Sequence, residues 1–273
     1  MRTSIRGTIR AVALSIAAPA FGFLLFLLVR LFLKVEVPRL TMSLVNLAVA
    51  AFIAFVLFSR VFGVPFGKVA PGEFVCRIGL LPPPGAWKHA LLGVVLAACT
   101  LGGMLAASFL TGRYVLNWDT LNLTHVVFSL NPGIWEEVFY RGVMMIALLG
   151  LTRSLPRAFM IQVVVFGLAH IKGVDLLAMV EVVSVMVIGA GFTYAVHKTN
   201  ALLAAMIFHF LHDAFLFLVQ LPDGVYTGLM ENALFYALLW LMVGVGCMLT
   251  KVAADRWGVT APRDLYRFPE TSS

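Results

Sequence analysis

The chain has 273 residues, of which 61% are hydrophobic and only 12% are charged, and its mean hydropathy is +0.97. Soluble chains are about 45–50% apolar and about 25% charged, so this composition lacks the polar side chains needed to cover a water-exposed surface. A disordered chain and a collagen-like fibre are also excluded. The three cysteines are scattered with no CxxC pair, which indicates neither a disulfide framework nor a zinc knuckle. The composition predicts an integral membrane protein.

Eight stretches are apolar and long enough to cross a bilayer, which takes about 20 residues of helix. They cover residues 11–33, 41–62, 89–110, 122–150, 155–171, 175–197, 200–220 and 228–250. We expect the fourth to be broken or kinked at Asn131-Pro132-Gly133, because proline removes a backbone donor. The predicted fold is an all-α, polytopic membrane protein with its site in the interior of the helix bundle. It forms a single integral membrane domain over residues 1–273, with a polar tail at 255–273.

The net charge of +7 indicates membrane topology rather than binding to nucleic acid, because the basic residues lie mostly between the apolar stretches. Arg2, Arg6 and Arg10, for example, precede the first stretch. Placing the N-terminus in the cytoplasm puts most Lys and Arg side chains on the cytoplasmic side, as the positive-inside rule requires. With eight spans, both termini are then predicted to be cytoplasmic.

Ionisable side chains inside apolar spans are costly, so they are candidates for function. The clearest group is Gly133-Ile-Trp-Glu136-Glu137-Val-Phe-Tyr-Arg141. Glu137 and Arg141 are four residues apart, which predicts an ion pair on one helix face. Glu136 is rotated by about 100° from Glu137 and remains available for chemistry. A Glu–Arg pair that only braces two helices is the alternative, but it would not need a second adjacent carboxylate.

Two further groups lie on later spans, Phe166-Gly-Leu-Ala-His170 and His209-Phe-Leu-His212-Asp213. His209 and Asp213 are four residues apart and project from one helix face. His212 is rotated by about 100° from Asp213 and either fills space or is itself the partner in the site. An interfacial histidine and a polar pair that joins helices are the structural alternatives. Three groups on three spans are better explained by one convergent pocket.

This set of side chains suits hydrolysis of a peptide bond inside the membrane. A carboxylate and an imidazole can share the proton of one water and direct its oxygen at a carbonyl. A second histidine and an aspartate can donate or relay hydrogen bonds to the oxyanion. The chain contains neither the HExxH motif of zinc peptidases nor the GxSxG motif of serine hydrolases. A zinc site formed by Glu136, His170 and His209 is the alternative, because His₂Glu is a known ligand set.

The ordered motifs Glu-Glu-xxx-Arg, Phe-xxx-His and His-xxx-Asn/Asp on successive spans resemble the CAAX prenyl protease and bacteriocin-processing family, which includes the Ras-converting enzymes. The resemblance implies an eight-helix, glutamate-type intramembrane protease with no cofactor. It matches Glu136 to the carboxylate that activates water and His170 to the histidine beside it. Glu137 and Arg141 match supporting positions, and Phe166 supports the second motif.

The resemblance covers residues 125–220, close to the motif-bearing core at 122–220. It matches His209 and Asp213 to the pair that stabilises the oxyanion. That last position is Asn in the eukaryotic-type enzymes, and an Asp offers no amide donor, so orienting His209 is the alternative role for Asp213. The stretch Gly189-Ala-Gly191-Phe-Thr-Tyr194 also resembles the family's lead-in to this motif.

The topology and the resemblance together predict the substrate. With the N-terminus inside, His170, His209 and Asp213 fall in the outer half of the bilayer of a prokaryotic cell membrane. The expected partner is a membrane-anchored protein or peptide that enters from the lipid, such as the hydrophobic C-terminal sorting tail cut by myxosortase-like members. The alternatives are a CAAX-type protease of prenylated protein and a non-catalytic bacteriocin-immunity or adaptor protein. A transporter is disfavoured because the sequence shows no internal repeat.

Overall fold

The structure is a computed structural model, in which the described residues are almost entirely helical, as predicted. It describes residues 5–13, 15–17, 31–32, 41, 44–45, 48–49, 52, 78–80, 85–111, 115–120, 122–220 and 229–259. The helices are α1 Ala86–Thr111, α2 Leu123–Glu136, a π-helix Glu137–Met144, α3 Met145–Thr152, α4 Leu155–Leu168, α5 Leu176–Thr199, α6 Leu203–Leu218 and α7 Leu229–Trp257. A short 3₁₀ helix, Trp118–Thr120, precedes α2, and β1 Val115–Leu116 pairs antiparallel with β2 Val219–Gln220.

Three helices are long and apolar enough to cross a membrane, namely α1, α5 and the part of α7 from Asn232 to Trp257. Helices α4 and α6 are apolar but shorter. The predicted spans at 11–33 and 41–62 lie mostly outside the described residues, whereas the other six coincide with described helices. The largest difference is at the end of α7, which continues to Trp257 and includes the first residues of the predicted polar tail. These apolar helices make the chain a membrane protein.

The helix is not broken at Asn131-Pro132-Gly133, the first of the two predicted forms, because α2 continues through Pro132 as far as Glu136. Proline removes only one backbone donor, and α6 packs closely beside this turn. A Cβ atom on Gly133 would lie 3.1 Å from the backbone nitrogen of Phe210 in α6. The helix departs from α geometry later, at the π-helix Glu137–Met144. Such π segments are rare in helices and are frequent at functional sites.

Polar residues mark the ends of the helices around the core. Asn122 and Asp175 cap the N-termini of α2 and α5, where their side chains accept hydrogen bonds from backbone N–H groups at 3.1 and 3.0 Å. Asn200 ends α5 in the left-handed conformation, with φ of 51°, which Asn tolerates better than most residues. These caps fix where the chain turns between the helices that carry the predicted motifs.

The core of the molecule surrounds the π-helix, in which all eight residues are buried. Helix α6 lies between α1, α2 and α5, while α4 packs on α5 and α3. The close approach of α1 to α6 requires glycine at position 93, because a Cβ atom there would overlap the backbone oxygen of Ala204. The N-terminal helical residues also reach this core, since Ser15 Oγ lies 3.2 Å from the carbonyl oxygen of Phe139. The motif-bearing helices therefore converge at the centre of the bundle.

Candidate active site

The predicted site residues lie together where α2, the π-helix, the end of α4 and α6 meet. Glu136 ends α2, Glu137 begins the π-helix and His170 follows α4 by two residues. His209 and Asp213 project from α6. Contacts of 3.8 Å or less connect these side chains to one another, so the structure brings the three sequence motifs into one cluster.

Glu137 and Arg141 form a fully buried ion pair, with Arg141 Nη1 donating to Glu137 Oε1 at 3.0 Å. This contact confirms the pairing predicted from the four-residue spacing. The guanidinium also donates through Nη2 to the carbonyl oxygen of Gly189 at 3.2 Å and through Nε to Thr193 Oγ1 at 3.4 Å. A buried ion pair is stable only when such additional hydrogen bonds satisfy its remaining donors and acceptors. Arg141 is therefore held by α5 as well as by its own helix.

Aromatic rings enclose the same guanidinium. Arg141 Cζ lies 4.0 Å from the ring centroid of Phe166 and 5.0 Å from that of Phe192. Tyr140 packs edge-on against Phe166, with ring centroids 4.9 Å apart. A cation over an aromatic face is attracted by the negative charge density of the ring, and more strongly so when water is absent. Phe166, singled out with the second motif, thus contacts the arginine of the first.

His209 is oriented by Glu137. Its Nδ1 lies 2.8 Å from Glu137 Oε1, the same oxygen that accepts from Arg141. A carboxylate only accepts, so Nδ1 carries the proton and Nε2 faces the site. The imidazole also stacks on Phe192, with centroids 4.4 Å apart and an interplanar angle of 17°. The orienting carboxylate is therefore Glu137, whereas Asp213 Oδ2 lies 3.6 Å from the other nitrogen, Nε2.

Glu136 is the carboxylate without a close partner in the cluster. Its Oε2 lies 3.8 Å from both His170 Nε2 and His209 Nε2, and no hydrogen bond reaches this atom from the described residues. His170 Nδ1 donates to the carbonyl oxygen of Phe166 at 2.7 Å. That bond fixes the proton on Nδ1 and leaves the Nε2 lone pair directed at Glu136. Two imidazoles from different helices therefore face one carboxylate oxygen.

His212 and Asp213 form the outer part of the cluster. His212 Nδ1 lies 3.2 Å from Asp213 Oδ1, so this histidine pairs with its neighbour rather than reaching Glu136. The side chains of His170 and Asp213 are 32% and 23% exposed, whereas those of Glu137 and Arg141 are fully buried. The cluster is therefore most accessible between the end of α4 and α6.

Sequence reasoning did not assign Thr193, Gln162 and Phe192 to the site. Thr193 and Phe192 lie within the glycine-containing stretch that resembles the family's lead-in, which was a usable signal. Gln162 precedes Phe166 by one helical turn and is a buried uncharged polar residue in an apolar helix. Its Oε1 lies 2.6 Å from Thr193 Oγ1, a contact between helices that no sequence spacing indicates.

The zinc alternative requires Glu136, His170 and His209 to converge as ligands. In the part of the chain that the structure describes, no group of three or more His, Cys, Asp or Glu side chains has the arrangement of a metal-ion site.

Residues 117–215 match the family model described as Rce1-like, type II CAAX prenyl endopeptidase Rce1-like. The match begins just before α2 and includes every site residue from Glu136 to Asp213. No curated protein and no solved structure matches the chain. The matched family is the one that the ordered motifs resemble. The apolar helices indicate a membrane protein, and its residues 117–215 are similar to the Rce1-like, type II CAAX prenyl endopeptidase family.

Proposed function

We propose that the protein is a glutamate-type intramembrane endopeptidase that cleaves near the C-terminal membrane tail of a protein substrate. The observation that carries the proposal is the position of Glu136 Oε2, which faces His170 Nε2 and His209 Nε2 at 3.8 Å each. Separations of this size suit a single water bridging two polar groups. The neighbouring carboxylate of Glu137 is already held by Arg141 and His209, so Glu136 is the group available for proton transfer.

The proposed reaction begins with a water hydrogen-bonded to Glu136 and His170. Both groups accept, so the two protons of the water point at them and an oxygen lone pair is directed at the scissile carbonyl carbon. Glu136 takes one proton as the carbon–oxygen bond forms. The same carboxyl group then gives that proton to the departing amine as the carbon–nitrogen bond breaks. No metal takes part in this scheme.

His209 is proposed to stabilise the oxyanion as an imidazolium. Its Nδ1–H is used by Glu137, so an Nε2–H donor exists only when the ring is charged. The carboxylates of Glu136, Glu137 and Asp213 each lie within 3.8 Å of a nitrogen of His209, so a positive imidazole reduces the net negative charge of the cluster. Asp213 Oδ2, 3.6 Å from Nε2, favours that charged form. Asp213 is therefore proposed to act through its negative charge, whereas an Asn at this position would donate a hydrogen bond through its amide.

The substrate follows from the proposed topology of eight spans, with both termini in the cytoplasm of a prokaryotic cell. Helix α4 has 14 residues and is therefore about 21 Å long, whereas the hydrocarbon core is about 30 Å thick. With Arg157 near the inner boundary, His170 lies in the outer half of the bilayer. A hydrophobic C-terminal tail of an exported protein reaches this depth from the lipid. A sorting-tail protease is therefore the favoured form of the proposal.

A CAAX-type protease of prenylated protein is the second candidate, and the description of the matched family supports it. The two candidates differ in the chemistry of the tail and in the side of the membrane from which it arrives. A non-catalytic immunity or adaptor protein would retain the motifs without turnover.

The test uses the purified protein in lipid vesicles with two probes, a farnesylated peptide ending in a CAAX sequence and a reporter ending in a hydrophobic tail with basic residues after it. We expect the wild type to shorten the second probe and Glu136→Gln to leave it intact. Asp255→Asn is the control, because this exposed carboxylate pairs with Lys251 outside the cluster. Equal cleavage by Glu136→Gln and wild type would overturn the mechanism.

Two further outcomes decide between the alternatives. Cleavage of the farnesylated probe alone would favour the CAAX-type candidate, and cleavage of neither probe would favour an adaptor. A chelator is expected to leave the rate unchanged. Loss of cleavage that returns with added zinc would replace the metal-free scheme by the zinc alternative.

A further inference from the structure

Gln162 is a fully buried amide in the apolar helix α4 that takes no direct part in the proposed reaction. Its Nε2 has no hydrogen-bond partner among the described residues, whereas its Oε1 lies 2.6 Å from Thr193 Oγ1. Burying an incompletely paired amide costs free energy that a leucine would not. The packing of α4 on α5 alone does not explain why a glutamine occupies this buried position.

The explanation lies in a continuous chain of polar contacts that ends at the active site. From Gln162 it passes to Thr193 Oγ1, which accepts from Arg141 Nε at 3.4 Å. Arg141 Nη1 donates to Glu137 Oε1 at 3.0 Å, and that oxygen accepts from His209 Nδ1 at 2.8 Å. The chain therefore connects four helical segments, α4, α5, the π-helix and α6.

We propose that Gln162 and Thr193 are positioning residues, which set the orientation of His209 through Arg141 and Glu137. The catalytic meaning of this orientation rests on the proposed function of the site. The contact between the two positioning residues is made whichever way the Gln162 amide is turned, because a hydroxyl both donates and accepts.

The contacts of Thr193 show why Gln162 matters to this series of polar contacts. A buried Thr in a helix commonly donates to the carbonyl four residues earlier, and Thr193 Oγ1 does lie 2.9 Å from the oxygen of Gly189. Thr199 makes the same kind of bond, to Ala195 at 2.8 Å, without reaching Arg141. Only Thr193 adds a side-chain contact from another helix, and that contact fixes its hydroxyl beside the guanidinium.

The position of the guanidinium depends on several contacts acting together, of which the Thr193 hydroxyl is one. Phe166 lies under the guanidinium at 4.0 Å, and the carbonyl of Gly189 accepts from Nη2. Loss of the Thr193 hydroxyl removes the hydrogen bond between Nε and α5 and allows the guanidinium to shift relative to Glu137. A shift at Arg141 moves the shared oxygen of Glu137, and the imidazole of His209 moves with it.

The test compares four variants in the vesicle assay. Thr193→Val and Gln162→Met keep the size of each side chain and remove its hydrogen bond, Thr193→Ser keeps the hydroxyl, and Thr199→Val is the matched control on the same helix. We expect kcat to fall about tenfold or more in the first two, with KM unchanged, because small displacements of a catalytic group have effects of this size. Thr193→Ser is expected to restore most of kcat, and Thr199→Val to leave both constants unchanged.

The double variant Gln162→Met/Thr193→Val is expected to lose no more than Thr193→Val alone, because both residues act through one contact. If the loss of kcat in the double variant equals the product of the two single losses, the residues act separately. That result would overturn the proposed series of contacts. Equal kcat in Thr193→Val and Thr199→Val, beside an inactive Glu136→Gln, would overturn the positioning role while leaving the proposed function intact.

A second measurement does not need turnover. The chain has six histidines, so ¹⁵N-histidine NMR with His209→Gln for assignment isolates the His209 ring. We expect its Nδ1 signal to shift in Thr193→Val and Gln162→Met and to stay in place in Thr199→Val. This readout applies even if neither probe is cleaved. An unchanged His209 Nδ1 signal in Thr193→Val and Gln162→Met would overturn the inference, and a shifted signal would support it.

Discussion

At the scale of single residues, the site depends on one oxygen atom. Glu137 Oε1 accepts from Arg141 at 3.0 Å and from His209 at 2.8 Å, deep inside the bundle. Charge-assisted hydrogen bonds of this kind are stronger than neutral ones, and burial strengthens them further. Removing either donor leaves an incompletely compensated carboxylate in an apolar surrounding.

Arg141→Met is expected to lower the free energy of unfolding by about 3–5 kcal/mol, since it leaves the Glu137 charge buried without its cation. Arg141→Lys should recover little of this, because an ammonium group lacks the planar fork that reaches Glu137 and Gly189 together. Urea titration in detergent micelles measures both variants.

Lys251→Met is the control, since Lys251 pairs with Asp255 at the surface and should change stability little. Similar unfolding midpoints for Arg141→Met and Lys251→Met would contradict the importance of the buried pair.

The sequence predicted part of this residue-scale picture and could not predict the rest. The pairing of Glu137 with Arg141 follows from their spacing on one helix. The contact between Glu137 and His209 joins residues 72 positions apart and depends on how α6 packs on α2. The sequence offered orienting His209 as the alternative role for Asp213, since an Asp lacks an amide donor, and local spacing cannot reveal a closer partner on another helix.

At the scale of elements, the π-helix and the close approach of α5 define the shape of the site. A π-helix was not predictable from the residue pattern, which contains Pro132 as its only conventional helix breaker in this region. The observed helix passes Pro132 and widens at Glu137, where the ion pair and the surrounding rings are buried. Tertiary packing therefore overrides the local signal at this position.

Gly189→Ala is expected to damage the site, because a Cβ atom there would lie 2.6 Å from Phe166 Cδ1 and 3.1 Å from Arg141 Nη2. Moving the ring off the guanidinium should lower stability by about 1–3 kcal/mol, the usual cost of overpacking, and should lower kcat as well. Thermal unfolding and the vesicle assay measure the two effects.

Gly102→Ala provides the matched control, since nothing lies within 4 Å of the added atom and Ala favours a helix over Gly. Stability and turnover should be equal to or above those of the wild type. Equal behaviour of the two alanine variants would show that the packing at Gly189 is dispensable.

At the scale of the whole molecule, the orientation in the membrane decides which substrates can reach the site. Arg157 lies in the first turn of α4 and Lys172 follows the end of this helix, and both side chains are exposed. Apolar length predicted the six helical stretches between residues 86 and 257 well, because it depends on composition over many residues. The order in which the helices pack could not be predicted, since it depends on individual contacts such as Gly93 against Ala204.

Lys172→Cys, in a chain without its three native cysteines, is expected to react with a membrane-impermeant maleimide added outside intact cells. Arg157→Cys, at the opposite end of α4, should react only after the cells are opened. Labelling of both variants can be read by a gel shift. The reverse pattern would place the site toward the cytoplasm and favour the prenylated substrate.

The shortness of α4 has a consequence for the surrounding lipid. Helix α4 has only 14 residues and packs on α5, which has 24, and Met160 and Leu168 on the surface of α4 are exposed. A hydrophobic stretch shorter than the hydrocarbon core is accommodated by local thinning of the membrane. Thinning beside His170 brings the aqueous phase closer to the residues that are proposed to consume water. The lipid then acts as part of the water supply, and cleavage should be faster in vesicles of short-chain lipids than in those of long-chain lipids.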